Sequence, residues 1–237
     1  MNAQWRLFMA ALQFDTRLAA AALKGAAVGD LGAGARYFSV AGALVGAVGG
    51  AAYWLGTLLW PTSVAVVLSM LATTALSGRS HESAGSDGMA RDAGGRTFGM
   101  AAFVFALLLK YNALMALSAA WLPFAAPANM SLGLIMICGH AAGCALIISL
   151  VASPAGASST RISNGDLGFA LVIGFAPAAL LGIPGLIGLA SAILARVGYG
   201  AYLKRGGRAV AGAELYAAQQ LCELCFYLGA LASWTYV

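Results

Sequence analysis

A short polar stretch, residues 80–92 with the sequence SHESAGSDGMARD, collects groups that can bind a metal ion and carry protons. It holds one of the two histidines of the chain and three of its eight acidic residues. Carboxylates separated by glycines can fold around a hard cation such as Mg²⁺ and leave coordination positions for phosphate oxygens, which arginines then bind. The candidates are His81, Glu82, Asp87, Asp92, Arg91 and Arg96. A solvated loop between helices fits the same residues equally well, because no standard metal motif is matched.

A second set of polar groups lies inside apolar segments. Lys110 lies midway along one such segment and Glu223 lies within another, where an isolated charge is costly and faces a cavity or a partner. A Lys110–Glu223 pair would offset both costs, either as part of a site or as a purely structural ion pair. His140 is alone in an apolar segment and is expected to be a satisfied buried histidine. Helical spacing places one polar stripe at Tyr216, Gln219, Gln220, Glu223 and Tyr227.

The composition indicates an integral membrane protein. Of 237 residues, 61% are hydrophobic and 9% are charged, whereas roughly a quarter of the residues of a soluble domain are charged. We therefore expect one membrane domain spanning 1–237. The net charge of +5 is better explained by basic cytoplasmic loops than by nucleic-acid binding, because the chain contains no basic run. The four cysteines lie in apolar segments and are expected to be buried, not bridged or zinc-bound.

The apolar segments predict an all-α bundle of six or seven transmembrane helices. A spanning helix needs about 20 largely apolar residues. The fifth and sixth segments are short and are joined tightly by GIPG at 182–185, so they form two spans or one broken, re-entrant pair. An N-terminal amphipathic helix is expected before the first span, lying in the membrane interface or packed within the bundle. The predicted spans are 38–60, 62–78, 98–122, 130–152, 168–182, 184–198 and 215–235.

The basic residues predict the orientation of the chain. With seven spans and the N-terminus inside, every Lys and Arg except Lys110 lies in an inner segment or at the inner end of a span. The positive-inside rule then places residues 79–97 in the cytoplasm and favours seven spans over six. Glycine-rich runs such as residues 42–50 (GALVGAVGG) are typical of helices that pack closely in lipid.

Five segments, spread over nearly the whole chain, resemble one family. They are ALQFDTRL at 11–18, ARYFSVAGALVGAV at 35–48, LSGRSHE at 76–82, RTFGMAAFVFALLLKYNAL at 96–114 and AAQQLCELCFYLGAL at 217–231. In this order and spacing they resemble the cobalamin (5′-phosphate) synthase family, also called adenosylcobinamide-GDP ribazoletransferases. The third segment is similar to the approach to that family's acidic signature, H-E-D-G-x-A-D-x-x-D-G.

The resemblance implies a Mg²⁺-dependent transfer at the bacterial inner membrane, with the active-site loop 79–97 facing the cytoplasm. The substrates would be adenosylcobinamide-GDP and α-ribazole or its 5′-phosphate, and GMP would leave. The surrounding partners would be the lipid bilayer and either other cobamide-assembly enzymes or a second copy of the chain. The implied roles are catalysis by His81, Lys110 and Glu223, substrate binding by Arg17, Arg91, Arg96, Gln219 and Gln220, and Mg²⁺ binding by Glu82, Asp87 and Asp92.

The acidic signature is thinner here than in the family pattern. The family's first and third aspartates fall on Ser83 and Ala90, while the second is kept as Asp87. Loss of a metal carboxylate is expected to weaken Mg²⁺ binding and slow catalysis. Two alternatives therefore stay open beside the transferase: a catalytically impaired scaffold relative of the family, and a small membrane transporter that uses the Lys110 and Glu223 stripe.

Overall fold

A computed structural model shows an all-helical bundle. It describes residues 3–15, 31–77, 96–119, 128–153, 162–207 and 212–235, and none of these residues forms a strand. A turn of 3-10 helix, Ala35–Tyr37, joins the second helix to the third. The helices are α1 (Ala3–Asp15), α2 (Leu31–Gly34), α3 (Phe38–Thr57), α4 (Thr62–Ser77), α5 (Arg96–Ser118), α6 (Ala128–Val151), α7 (Asn164–Ala179), α8 (Ile183–Arg205) and α9 (Gly212–Thr235).

The described helices confirm the predicted fold class. Four stretches are long and apolar enough to cross a membrane, namely Ala35–Thr57, Ala101–Ser118, Ser131–Val151 and Ile183–Arg205. Two further apolar helices, α4 and α7, have 16 residues each. The last helix, α9, has 24 residues but carries the polar stripe. Each predicted span thus corresponds to a helix, while the number that cross the bilayer stays a prediction.

Helix α6 is the centre of the bundle. In the most apolar stretch of α6, 78% of the residues are buried, against 22% in the corresponding stretches of α5 and α8. Helix α6 therefore faces protein on nearly every side. It packs against α3, α7 and α9, and more lightly against α5 and α8. Its central residues are therefore surrounded by protein, and any polar group among them must find its partner within the bundle.

A row of glycines allows α3 to lie directly against α6. Gly42, Gly46 and Gly50 recur every four residues and so share one face of α3. A Cβ at Gly46 would lie 2.6 Å from the Cα of Ile137, and one at Gly50 would lie 2.7 Å from the Cα of Gly133. Both contacts are with backbone, which cannot move aside cheaply. The predicted close packing by this glycine-rich run is confirmed.

A tight turn connects α7 to α8, as the GIPG sequence predicts. Gly182 has a φ of 66°, which glycine adopts without strain, and Pro184 lies in the first turn of α8. The predicted end of the sixth span at residue 198 is wrong, because α8 continues to Arg205. Leu203 is fully buried in a cluster with Leu150 of α6, and this packing outweighs the low helix propensity of the glycines at 198 and 200.

The N-terminal helix packs on the bundle through one face. Ala11 is fully buried while Trp5 is 51% exposed, and α1 contacts α3 and the turn before it. The hydroxyl of Tyr37 donates a hydrogen bond of 2.8 Å to Oε1 of Gln4. The predicted amphipathic helix is present and packs on the bundle, and its position relative to the membrane surface stays a prediction.

Candidate functional site

Three polar side chains meet at one carboxylate oxygen in the middle of the bundle. Oε1 of Glu223 on α9 lies 2.8 Å from Nζ of Lys110 on α5 and 3.0 Å from Nε2 of His140 on α6. The hydroxyl of Tyr227, one turn further along α9, donates a 2.7 Å hydrogen bond to the same oxygen. The Lys110 ammonium also lies 6.0 Å from the centroid of the Tyr227 ring, within range of a cation–π attraction. The predicted Lys110–Glu223 contact is confirmed.

Glycine on α6 makes room for this cluster. A Cβ at Gly139 would lie 2.5 Å from Cε1 and 2.8 Å from Cζ of Tyr227, so the ring fits only because position 139 has no side chain. The next residue, His140, is thereby held at the helix face that meets α9. Spacing of four residues on α9 places Glu223 and Tyr227 on one face. The three helices therefore bring together residues that are far apart in sequence.

The cluster is buried, yet two of its members line a cleft. Glu223 is fully buried, and Lys110 and His140 are 6% and 2% exposed. The cleft has a volume of about 30 Å³ and runs between α4, α5, α6 and α9. Glu223 does not belong to its lining and so sits behind the two basic groups. The lining residues are Met70, Thr73, Thr74, Ser77, Phe103, Leu107, Lys110, His140 and Gln220.

The cleft is lined by the end of α4 and by α5 from its third turn onward, and these two helices flank residues 78–95. Ser77, which is the last residue of α4, lines it, and so does Phe103 in the third turn of α5. Deeper in the bundle the lining continues to Met70 and Lys110. The acidic stretch therefore connects two helices that both line this cleft.

The structure separates the two glutamines of the predicted stripe. Gln220 lines the cleft. Gln219 is 2% exposed and its Nε2 lies 3.4 Å from Sγ of Cys144 on α6, so it faces the centre of the bundle. The other predicted site residues cannot be placed from the described part of the chain. Arg96 is the first residue of α5, but its side chain is not described, and the rest lie outside the described residues. Together with Arg96 they are Arg17, His81, Glu82, Asp87, Arg91 and Asp92.

His140 is the functional candidate that sequence reasoning missed. Neither ring nitrogen has a hydrogen-bond partner among the described residues. Nε2 lies 3.0 Å from Oε1 of Glu223, close enough for an ion pair if the ring is protonated. The expected burial of this histidine is confirmed, and its ring contacts the Glu223 carboxylate without a hydrogen bond. A lone histidine in an apolar segment carries no spacing signal, and its neighbours on α5 and α9 become visible only in the folded bundle.

Metal ligands are not gathered in the described part of the bundle. Across the described residues, no group of three His, Cys, Asp or Glu side chains is placed to hold a metal ion. Glu223 fits such a role poorly, because an ammonium already contacts its Oε1. The predicted oxygen ligands Glu82, Asp87 and Asp92 suit Mg²⁺ by their chemistry, and they lie outside the described residues.

The long apolar helices and the polar cluster beside an internal cleft define a polytopic membrane-type bundle with a polar site. The chain belongs to the cobalamin-5-phosphate synthase family, whose family model matches residues 7–90. It is 33% identical to the adenosylcobinamide-GDP ribazoletransferase of Leptothrix cholodnii, over 96% of this chain and 95% of that protein. The same-named proteins of Ralstonia pickettii and Shewanella frigidimarina are 32% and 27% identical, over 98% and 97% of this chain and 98% and 95% of theirs. No solved structure matches the chain.

Proposed function

We propose that the chain is an adenosylcobinamide-GDP ribazoletransferase. It would transfer the adenosylcobinamide phosphate moiety from adenosylcobinamide-GDP to α-ribazole, or to its 5′-phosphate, and release GMP in the last steps of cobalamin assembly. The observation that carries this proposal is similarity over nearly the whole chain to proteins of that name. The buried basic groups beside the cleft are compatible with a phosphate-containing substrate.

The proposed reaction makes three demands on the protein. A hydroxyl of α-ribazole attacks the corrinoid-side phosphorus of the diphosphate, a new P–O bond forms, and the P–O bond to GMP breaks. The protein must neutralise the diphosphate, hold the hydroxyl in line and stabilise the phosphate that leaves. Mg²⁺ would supply charge neutralisation when bound by Glu82, Asp87 and Asp92. Arg91 and Arg96 would bind phosphate oxygens, as would Arg17.

Lys110 would place a positive charge beside the substrate phosphate from within the cleft. Its Nζ carries three N–H groups, and the contact with Glu223 uses one direction only. The ammonium lines the cleft, so the other donors can meet a phosphate oxygen. Gln220 on the wall of the cleft can donate from its amide. His81, just beyond the end of α4, would act on the transferred groups from the loop side.

The size of the cleft limits where the corrinoid can sit. A volume of about 30 Å³ holds about two water molecules, so the corrinoid ring system does not fit in it. The corrinoid would lie at the mouth, against the bilayer surface, while a phosphate group points inward. This arrangement suits a multi-pass protein of the bacterial inner membrane whose loop 79–97 faces the cytoplasm, beside other cobamide-assembly enzymes or a second copy of itself.

One observation supports a second candidate function. The family's acidic positions fall on Ser83 and Ala90 in this chain, and each loss removes a carboxylate from the predicted metal site. A catalytically impaired relative that scaffolds cobamide assembly would have the same helices and the same cleft. The two functions differ in whether Mg²⁺-dependent product forms, so one assay separates them.

The test is cobamide formation in proteoliposomes from adenosylcobinamide-GDP and α-ribazole, with and without Mg²⁺. Asp87→Ala is the test variant. Asp166→Asn is the matched control, because that carboxylate is bonded to Arg36 at the start of α7 and does not line the cleft. We expect Mg²⁺-dependent product, and a loss in Asp87→Ala larger than the about 10–100-fold that residues behind a ligand typically cost.

The control variant should keep most of its activity. If a folded wild-type protein forms no product, the scaffold function is favoured instead, and restoring Ser83→Asp and Ala90→Asp should then create activity. Product that forms equally well without Mg²⁺ would contradict the metal site in this loop.

A further inference from the structure

The surroundings of His140 differ from those expected of a histidine with a purely structural role. It is 2% exposed, it lines the cleft, and neither ring nitrogen has a hydrogen-bond partner in the described helices. A buried polar group left without a hydrogen bond costs about 1–3 kcal/mol. A side chain that merely filled space at this point would be replaced by an apolar one at no such cost. The arrangement therefore points to a ligand that supplies the missing contact.

We propose that His140 and Lys110 together form the floor of a phosphate-binding subsite in the cleft. Glu223 is then a positioning residue, because it contacts both basic groups but does not line the cleft. The identity of the phosphate, as part of adenosylcobinamide-GDP, rests on the proposed function. The binding of a phosphate-type anion at this floor does not, and it can be measured without any turnover.

Lys110 and His140 each contact Glu223 through a single nitrogen atom. Lys110 directs Nζ at Oε1 of Glu223 over 2.8 Å and keeps further N–H donors for a ligand. His140 turns Nε2 toward the same oxygen over 3.0 Å, which leaves Nδ1 to donate to a phosphate oxygen when it is protonated. Tyr227 fixes the carboxylate from behind with a 2.7 Å hydrogen bond. The carboxylate thus contacts both of the side chains, Lys110 and His140, that line one small cavity.

The small volume of the cleft fits this role. A space of about 30 Å³ admits a few oxygen atoms and excludes a nucleoside or a corrinoid. The floor would therefore receive only phosphate oxygens, while the larger parts of the substrate remain at the mouth near Ser77 and Phe103. A charge-assisted hydrogen bond from Lys110 and a hydrogen bond from His140 would hold them there.

The two histidines of the chain make the proposal directly observable. The full-length protein in lipid nanodiscs is labelled with ¹⁵N-histidine, and His81→Gln removes the second set of ring signals, which assigns those of His140. The probe is inorganic pyrophosphate, titrated without Mg²⁺. We expect a saturable shift of the His140 ring nitrogens. Lys110→Met should raise the Kd for pyrophosphate at least about ten-fold, since a charge-assisted hydrogen bond is lost.

Asn112→Ala is the matched control for Lys110→Met. Asn112 lies two residues further along α5, is exposed, and donates to the backbone carbonyl of Leu108, so its loss should leave the Kd unchanged. Lys110→Met leaves the buried carboxylate of Glu223 without its cationic partner. The double variant Lys110→Met/Glu223→Gln is therefore titrated as well, and it should bind pyrophosphate as weakly as Lys110→Met does. Ring signals that pyrophosphate does not move, or a Kd for pyrophosphate in either Lys110 variant that equals the wild-type Kd, would overturn the subsite.

A kinetic arm separates this proposal from the proposed function. In the transferase assay, His140→Gln should raise the KM for adenosylcobinamide-GDP about ten-fold with a smaller change in kcat. A wild-type protein that shows the pyrophosphate shift but makes no product would overturn the transferase and keep the subsite. Normal KM in His140→Gln, together with an unmoved signal, would overturn the subsite and keep the transferase.

Discussion

The carboxylate of Glu223 is fully buried and depends on its neighbours for compensation. The Lys110 side chain is 8% exposed and Glu223 is 0% exposed, so neither charge is solvated by water. A buried ion pair adds little net stability compared with apolar residues, because both charges lose their hydration. Removal of one partner leaves an uncompensated charge and costs about 3–5 kcal/mol. The pair therefore constrains the bundle more through the penalty for breaking it than through a gain in stability.

Substitution of Lys110 alone should destabilise the bundle strongly. We expect Lys110→Met to lower the free energy of unfolding by about 3–5 kcal/mol, because Glu223 is left buried with His140 and Tyr227 as its remaining partners. The double variant Lys110→Met/Glu223→Gln removes both charges and should recover most of that loss. The measurement is unfolding by sodium dodecyl sulfate in mixed micelles, with Asn112→Ala as the control within about 0.5 kcal/mol of wild type.

The double variant decides the interpretation. If it is as unstable as Lys110→Met, the ammonium stabilises the bundle through contacts other than Glu223, such as the face of the Tyr227 ring at 6.0 Å. If both variants are as stable as wild type, the charges are solvated in the folded state and the burial at this site is incomplete.

At the scale of helices, the position of α6 follows from the glycines on the helices around it. Glycine removes the side chain that would hold two backbones apart, so α3 touches the backbone of α6 at Gly46 and Gly50. Van der Waals contact between such close surfaces is the main attraction between helices in lipid. The glycine face of α3 therefore fixes α6, and α6 in turn carries His140 to the cleft.

An added methyl group on this face should separate the two helices. Gly46→Ala places a Cβ 2.6 Å from the Cα of Ile137, and overpacking of this kind typically costs about 1–3 kcal/mol. Gly168→Ala in α7 is the control, because a Cβ there meets nothing within 4 Å; it should be neutral or stabilising by up to about 1 kcal/mol. Equal stability of the two variants in the same detergent titration would contradict direct backbone packing at Gly46.

The helices could be predicted from sequence because their signals are local. Pro61 and the GIPG turn mark helix ends, and continuous apolar runs mark the bodies of the helices. The extension of α8 to Arg205 could not be predicted, since it depends on Leu203 packing beside Leu150. At the site, the cost of burying Lys110 predicted its pairing with Glu223. The contact of His140 with Glu223 could not be predicted, because the two residues lie on different helices that only the folded bundle brings together.

At the scale of the whole molecule, the orientation in the membrane stays a prediction that rests on the basic residues. The last turn of α8 carries Lys204 and Arg205. Further back along α8, Arg196 donates from Nε to the hydroxyl of Ser149 over 2.9 Å and from Nη2 to its carbonyl over 2.5 Å. Ser149 lies two residues before the end of α6. The end of α6 that was predicted to be cytoplasmic is therefore tied to the second half of α8.

This orientation predicts which turns a reagent reaches from outside the cell. Leu59 is 75% exposed in the turn between α3 and α4, and Gly206 is exposed just after α8 with an ordinary helical φ of −79°, so cysteine fits both sites. A membrane-impermeant maleimide should label Leu59→Cys in intact cells and Gly206→Cys only after permeabilisation, because the basic residues retain the second turn in the cytoplasm.

The wild-type chain is the control for this labelling. Cys138, Cys144 and Cys222 are buried, and Cys225 is half-buried, so its background should be low. The mouth of the cleft lies at the end of α4 near Ser77, which a single span separates from the turn at Leu59. Labelling of Gly206→Cys from outside would therefore mean that the cleft opens away from the cytoplasm. It would contradict both the orientation and a cytoplasmic transferase site.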